Sequence, residues 1–154
     1  MKITQEIEEY DNLKTKVLKY VLYKKRTEQE VRQKFAENTG NILEDVIEYL
    51  KQEKYIDDSN YIERSVDEYI ALKNLSIKEL TYKLYTKGLS KNLIDDYVCK
   101  NKEKLLEYEI NSATNIVNKK NSFMEEFELK QFLLKKGYMS ETISIAISNA
   151  QEMM

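Results

Sequence analysis

Residues 76–88 of the chain read SIKELTYKLYTKG, and residues 27–35, which begin 49 positions earlier, read TEQEVRQKF. Each stretch opens with Ser or Thr and carries Glu three residues later. In this capping-box pattern the hydroxyl accepts from a backbone amide one turn into a helix, while the Glu reaches back to the amide of the cap residue. Both stretches therefore predict the start of a helix, and their separation suggests an internal repeat.

An apolar pair at spacing i, i+4 recurs three times with the same 49-residue period, and we expect all six side chains to be buried. The pairs are Val31 and Phe35, Leu80 and Leu84, and Leu129 and Leu133. Gly88 and Gly137 also lie 49 residues apart, each after the last turn of a predicted helix, where glycine adopts a positive φ at the least steric cost. The period predicts three copies of one helical unit.

The third unit has a capping-box pattern at residues 122–125, which predicts that its middle helix starts a turn earlier than the other two. We predict three helices in each unit. Their expected bounds are 8–25, 27–38 and 42–54, then 58–73, 76–87 and 90–99, then 102–119, 122–136 and 140–152. The predicted fold is all-α, with three tandem three-helix repeats at residues 1–56, 57–100 and 101–154 that form an elongated, curved, right-handed helical array.

The composition favours the same fold class. The 154 residues include no proline and three glycines, and 42% of them are hydrophobic, which suffices for a buried core. No stretch approaches the roughly 18 uncharged apolar residues of a membrane span, and the N-terminus lacks the apolar segment of a signal peptide. We therefore expect a cytoplasmic protein, in which the single cysteine, Cys99, is a reduced thiol.

Enzymatic chemistry has little basis in this sequence. The chain has no histidine, no cysteine pair and no glycine-rich phosphate loop. Asp57, Asp58 and Ser59 could be read as a paired-carboxylate site, but short polar side chains at a predicted helix start favour an N-cap. We predict a protein that is not an enzyme, with no catalytic residue, no metal site and no cofactor.

The charge is distributed in blocks. Residues 14–34 carry eight Lys or Arg against two Glu, residues 44–68 carry nine Asp or Glu against three Lys or Arg, and residues 73–91 carry five Lys against one Glu. A net charge of -2 argues against a surface wholly dedicated to nucleic acid. Because stacked repeats bind large partners along extended faces, the two basic blocks are the candidate contact regions.

Three stretches resemble the RecX family, whose members regulate the RecA recombinase. They are RTEQEVRQKF at 26–35, YIDDSNYI at 55–62 and LSIKELTYKLYTKG at 75–88. The last keeps the family pattern E-L-x-x-K-L-x-x-K-G, and the first resembles R-S-x-x-E-L-x-x-K-L. The resemblance runs from about residue 13 to residue 150 and implies three tandem three-helix repeats. It also implies a regulator that binds the RecA filament on single-stranded DNA in repair, recombination and the SOS response, modulating ATP hydrolysis, strand exchange and co-protease activity, usually by inhibition.

The chain departs from the family pattern in two respects. Many members carry more arginine, whereas this chain has only Arg26, Arg32 and Arg64. Phe132 occupies the third-unit position of Lys34 and Lys83. We therefore expect the functional residues that the resemblance implies to lie in the first two units only.

The partner-binding residues that we predict are basic or aromatic and belong to those two units. They are Lys24, Arg26, Arg32, Lys34, Lys73, Lys78, Tyr82, Lys83, Tyr85 and Lys87. Lys24 recurs as Lys73, and Lys34 recurs as Lys83, as an extended binding face would require. A solvated helix face remains the plainer interpretation of any single residue.

Two further expectations concern aromatic residues and partners. Tyr20, Tyr69 and Tyr97 have helical spacing that favours the core, which leaves Tyr82 and Tyr85 as surface candidates. An aromatic ring beside lysines can stack on a base, so the alternative function is a helical-repeat protein that binds nucleic acid. A weak direct contact with DNA can also accompany binding to the RecA filament. We expect a monomer that does not contact membranes.

Overall fold

The computed structural model describes residues 2–38 and 40–152, and these residues form nine α-helices and no strand. The first unit contains α1 (Lys2–Tyr23), α2 (Glu28–Lys34) and α3 (Asn41–Gln52). The second contains α4 (Asp58–Leu72), α5 (Ile77–Thr86) and α6 (Lys91–Lys100), and the third α7 (Lys102–Lys120), α8 (Glu126–Lys136) and α9 (Ser140–Glu152). The all-α prediction is confirmed. The unit boundaries and the right-handed curvature stay predictions.

Both capping boxes of the first two units are formed. The Thr27 hydroxyl accepts from the Glu30 amide at 3.1 Å, and the Glu30 carboxylate accepts from the Thr27 amide at 3.0 Å. Ser76 and Glu79 make the same two bonds at 3.0 and 3.1 Å. The side chains that the sequence places at these helix starts therefore satisfy amides that have no partner within the helix.

The third middle helix begins in register, so the predicted capping box at 122–125 is wrong. Residues 121–124 form a turn that closes α7, in which the Met124 amide donates to the Lys120 carbonyl at 2.9 Å. Glu125 is the N-cap of α8 with φ -74° and ψ 160°, the same backbone conformation as Ser76, but its side chain makes no capping hydrogen bond. The backbone therefore keeps the 49-residue period at this position, although Glu replaces the Ser or Thr that caps the other two middle helices.

The core consists of three apolar clusters, centred on the three units in turn. Five of the six residues expected inside are at most 4% exposed: Val31, Leu80, Leu84, Leu129 and Leu133. Phe35 is the exception, since α2 ends at Lys34 and leaves Phe35 as a half-buried C-cap residue. Its ring packs edge-to-face on Tyr20 with the centroids 5.7 Å apart.

The three tyrosines expected in the core are only half-buried. Tyr20 packs at the edge of the first cluster, and Tyr69 and Tyr97 pack at the edge of the second. The hydroxyl can reach water from such a position while the ring remains in apolar contact.

Successive units meet end to end through their middle helices. The Thr27 hydroxyl, which caps α2, also donates to the Lys87 carbonyl at the end of α5 at 2.7 Å. The Ser76 hydroxyl likewise donates to the Lys136 carbonyl at the end of α8 at 2.7 Å. The positive end of one helix dipole therefore faces the negative end of the next. We call each of these contacts a unit joint.

A carboxylate from the first helix of the following unit completes each joint. Asp58 of α4 accepts from the Glu28 amide at 3.0 Å, and Glu109 of α7 accepts from the Ile77 amide at 3.0 Å. Glu109 is fully buried and also accepts from the Thr142 hydroxyl at 2.6 Å. The first amide of α2 and the first amide of α5 are thus both satisfied across a joint.

The Asp57-Asp58 pair has the structural role that the sequence favours. The Asp57 carboxylate caps α4 by accepting from the Asn60 amide at 3.1 Å. Burial raises the pKa of the Asp58 carboxyl above its ordinary value. Each carboxylate therefore caps the start of a helix: Asp57 caps α4 in its own unit, and Asp58 caps α2 across the joint.

The glycines that end α5 and α8 are required by the same joints. Gly88 and Gly137 have φ 86° and 96°, which confirms the predicted left-handed conformation. A Cβ atom on Gly88 would clash with Gln29, and one on Gly137 would lie 2.9 Å from the Lys78 Cβ. Gln29 and Lys78 are themselves 49 residues apart, so each joint presses the second residue of one middle helix against a glycine.

Replacing Ser76 by Ala should cost more stability than replacing a serine that only caps a helix. Ser90 is the matched control, because its exposed hydroxyl caps α6 through the Leu93 amide at 3.2 Å. We expect Ser90→Ala to lower the free energy of unfolding by about 0.5 to 1 kcal/mol. Ser76→Ala should cost roughly 1 kcal/mol more, because the Lys136 carbonyl also loses its bond. Equal losses in urea unfolding would show that the joint bond contributes nothing.

Candidate partner-binding surface

The two aromatic candidates on α5 are accessible. Tyr82 is 67% exposed and Tyr85 is 63% exposed. Tyr85 and Lys87 line an open groove of about 610 Å³ whose opposite wall is formed by Gln29 and Gln33 of α2. The groove lies beside the first unit joint, so part of the predicted surface belongs to two units at once.

Exposed apolar residues precede the two lysines at the ends of the first helices. Tyr23 is 87% exposed before Lys24, and Leu72 is 72% exposed before Lys73. Both pairs lie 49 residues apart, whereas positions 121–122 of the third unit hold Asn and Ser. We call Tyr23-Lys24 and Leu72-Lys73 the apolar–lysine pairs. The predicted partner-binding residues include the two lysines but not their exposed neighbours Tyr23 and Leu72, although the same 49-residue period relates those neighbours.

The remaining lysines differ in accessibility. Lys34 is exposed, with its ammonium 5.8 Å from the Tyr20 ring centroid, while Lys83 is half-buried. Lys73 is exposed with its ammonium 5.9 Å from the Tyr69 ring centroid. Lys78 is exposed, but its aliphatic part packs against the Gly137 backbone at the second joint. Lys78 therefore has a packing role besides its charge.

The guanidinium of Arg26 packs within the first unit. Its central carbon lies 4.1 Å from the Tyr20 ring centroid. Its Nε is buried and has no hydrogen-bond partner among the described residues. A partner contact would have to use the outer part of this guanidinium.

Arg32 belongs to an ion-pair network. It forms two hydrogen bonds to the Glu44 carboxylate, one of them at 3.1 Å, and one to Glu28 at 3.2 Å. The hydrogen bond to Glu44 raises the pKa of Arg32 above its ordinary value and lowers the pKa of Glu44. Any partner of Arg32 would have to compete with these carboxylates.

No helix described by the structure is long and apolar enough to cross a membrane. Within residues 2–38 and 40–152, no group of three or more His, Cys, Asp or Glu side chains is placed to hold a metal ion.

Stacked three-helix units are typical of helical-repeat proteins. No family model matches the chain. The chain is 33% identical over 152 residues to the regulatory protein RecX of Staphylococcus epidermidis. This match covers 94% of the chain and 57% of that relative. The chain is 35% identical over 133 residues to the regulatory protein RecX of Finegoldia magna, covering 79% of the chain and 63% of the relative. The resemblance found in the sequence is thereby confirmed, since the chain is similar over most of its length to regulatory proteins named RecX.

Two solved structures share the fold. The crystal structure of RecX from Lactobacillus salivarius matches with a TM-score of 0.83 at 21% identity, over 94% of the chain and 98% of that protein. A second RecX crystal structure matches with a TM-score of 0.75 at 21% identity, over 90% of the chain and 73% of that protein. The chain itself spans less than two thirds of the two sequence relatives, at 57% and 63% of their lengths.

Proposed function

We propose that the chain binds the RecA filament on single-stranded DNA in the cytoplasm and inhibits ATP hydrolysis, strand exchange and co-protease activity. The similarity to regulatory proteins named RecX supports a regulatory role. The observation that carries the proposal is the repetition of an exposed apolar–lysine pair at equivalent positions of two stacked units. A repetitive partner such as a filament offers equivalent contacts to such a surface.

The proposed mechanism is bridging. A first contact by one unit raises the effective concentration of the second unit at the neighbouring protomer, so two modest contacts add to a strong hold. Protomers held in this way resist the relative movements that filament activity requires. Inhibition then needs no chemistry by the chain itself.

The alternative function is direct binding of single-stranded nucleic acid. The exposed rings of Tyr82 and Tyr85 favour it, since aromatic rings beside lysines stack on bases. The net charge of -2 counts against a dominant phosphate contact.

A binding measurement separates the two functions. The labelled chain is titrated with RecA filaments on single-stranded DNA, with RecA alone and with the DNA alone, at several salt concentrations. We expect tight binding only to the filament. Comparable binding to the DNA alone, with a steep logarithmic salt dependence, would establish the alternative instead.

The double substitution Tyr23→Ala/Leu72→Ala should weaken filament binding by about tenfold or more, which corresponds to about 1.4 kcal/mol. Because both side chains are exposed, the free energy of unfolding should change by no more than about 0.5 kcal/mol for each. Leu134→Ala removes an exposed apolar side chain of the third unit and serves as the control. Unchanged affinity of the double variant would exclude the apolar–lysine pairs from the contact.

A further inference from the structure

Asparagine side chains line an open groove of about 290 Å³ between the end of α4 and the middle of α7. They are Asn74, which follows α4, and Asn111 and Asn115 of α7. Residues four apart lie on the same face of a helix, so Asn111 and Asn115 line one wall together. We call this site the carboxamide groove. The rest of its lining consists of Ile70, Lys104, Glu107, Tyr108 and Ser112.

The backbone on both sides of Asn74 is held by one side chain of α7. The Tyr108 hydroxyl donates to the Lys73 carbonyl at 2.6 Å and accepts from the Leu75 amide at 3.1 Å. The Asn115 amide nitrogen donates to the Asn74 amide oxygen at 3.1 Å. These bonds orient Asn74 and Asn115 in advance, so binding a ligand here costs little further side-chain ordering.

The carboxamide groove keeps hydrogen-bonding capacity for a ligand. In the bond between the two asparagines, Asn74 uses only its amide oxygen and Asn115 uses only one N–H. Asn111 is exposed. Ser112 is 1% exposed, and its hydroxyl has no hydrogen-bond partner among the described residues. A ligand that supplies this partner removes the free-energy cost of burying the hydroxyl unpaired.

The charges and rings around the groove favour a peptide over a nucleic acid. Lys104 is paired with Asp67 at 3.0 Å, and Glu107 adds an exposed negative charge. A phosphate would therefore meet no unpaired cation among the described lining residues. The aromatic residue of the lining, Tyr108, is 7% exposed and presents no open ring face on which a base could stack.

The spacing of the two α7 asparagines matches the repeat of an extended peptide. Four residues of an α-helix advance by about 6.0 Å. In an extended chain, alternate residues repeat at about 6.6 to 6.8 Å. Each carboxamide has a donor and an acceptor, as each peptide unit does. Asn111 and Asn115 are thus spaced to bond main-chain groups on the same side of an extended segment.

We propose that the carboxamide groove binds an extended segment of the partner protein through its main chain. The segment belongs to a RecA protomer, so this binding rests on the proposed function. Leu72 and Lys73 directly precede Asn74, which makes the second apolar–lysine pair and the groove one continuous contact. The pair supplies apolar and charged contacts, and the groove fixes the position of the bound main chain.

Replacing both α7 asparagines by alanine should weaken binding to RecA filaments on single-stranded DNA by about tenfold or more. Alanine is a better helix former than asparagine, so Asn111→Ala/Asn115→Ala should not lower the thermal midpoint. A purely structural role would not separate affinity from stability in this way. Asn12→Ala/Asn92→Ala changes two exposed asparagines of α1 and α6 outside the groove and should bind like the wild type.

Nuclear magnetic resonance of the chain with isotopically labelled asparagine identifies the occupant. The probes are overlapping peptides that together cover the RecA sequence, and a single-stranded oligonucleotide. We expect at least one peptide to shift the side-chain amide signals of Asn74, Asn111 and Asn115 while the signal of Asn92 stays in place. Peptides that shift none of the three signals would overturn the proposal. So would shifts of these signals produced by the oligonucleotide alone.

The filament titration distinguishes failure of this site from failure of the proposed function. Equal filament binding by the wild type and Asn111→Ala/Asn115→Ala would overturn the groove as a contact and leave the proposed function standing. A wild-type chain that does not bind the filament would overturn both.

Discussion

Replacing Leu80 by Ala should lower the free energy of unfolding by about 2 to 5 kcal/mol. Leu80 is fully buried in the second cluster, which also contains Leu105 and Tyr108 of the third unit's first helix. The cavity would therefore lie where the second and third units share their core. The cost includes both the lost burial of the side chain and the cavity that the neighbours cannot fill.

Urea unfolding with circular dichroism measures this loss. Tyr82→Ala is the control on the same helix, because Tyr82 is 67% exposed and its removal should change stability by no more than about 0.5 kcal/mol. A loss of under about 1 kcal/mol for Leu80→Ala would mean that the 49-residue register does not define the core.

Reversing two charges should abolish most of the proposed inhibition of RecA. The double variant Lys34→Glu/Lys83→Glu changes repeat-equivalent positions on α2 and α5, so it alters the basic edge of both units at once. Rim charges govern the association rate and its salt sensitivity, and like-charge contacts penalise docking. We expect the concentration needed for half-inhibition of the RecA ATPase to rise by about tenfold or more, equivalent to about 1.4 kcal/mol.

A matched control separates the surface from the total charge. Lys119→Glu/Lys135→Glu makes the same change in net charge at exposed positions of the third unit and should inhibit like the wild type. Helicity of both variants is compared first, because Lys83 is half-buried. Wild-type inhibition by Lys34→Glu/Lys83→Glu would exclude the proposed contact surface.

The 49-residue period made much of the fold predictable. Capping boxes, apolar i, i+4 pairs and helix-ending glycines are local patterns, and the structure forms the first two capping boxes, buries five of the six paired apolar residues and gives both glycines a positive φ. The prediction of a third capping box at residues 122–125 was wrong because Ser122 lies in the turn that ends α7. The four-residue pattern alone does not show that this turn is present. Phe35 was predicted to be buried but is half-buried, because α2 ends at Lys34.

The contacts between units could not be read from the sequence. Asp58 and Glu109 perform the same task but lie 51 residues apart, on helices that begin at different points of the repeat, so the period does not connect them. The internal partners of Arg32 follow from the packing of α2 against its neighbours. The predicted surface therefore mixed free lysines with an arginine already engaged in ion pairs.

The central claim is tested most directly by the rate of ATP hydrolysis by RecA on single-stranded DNA, measured as the wild-type chain is added. The account predicts a rate that falls progressively with the amount of chain and reaches a low plateau once the filament is saturated. A rate that stays constant while direct binding measurements show the filament to be saturated would contradict it.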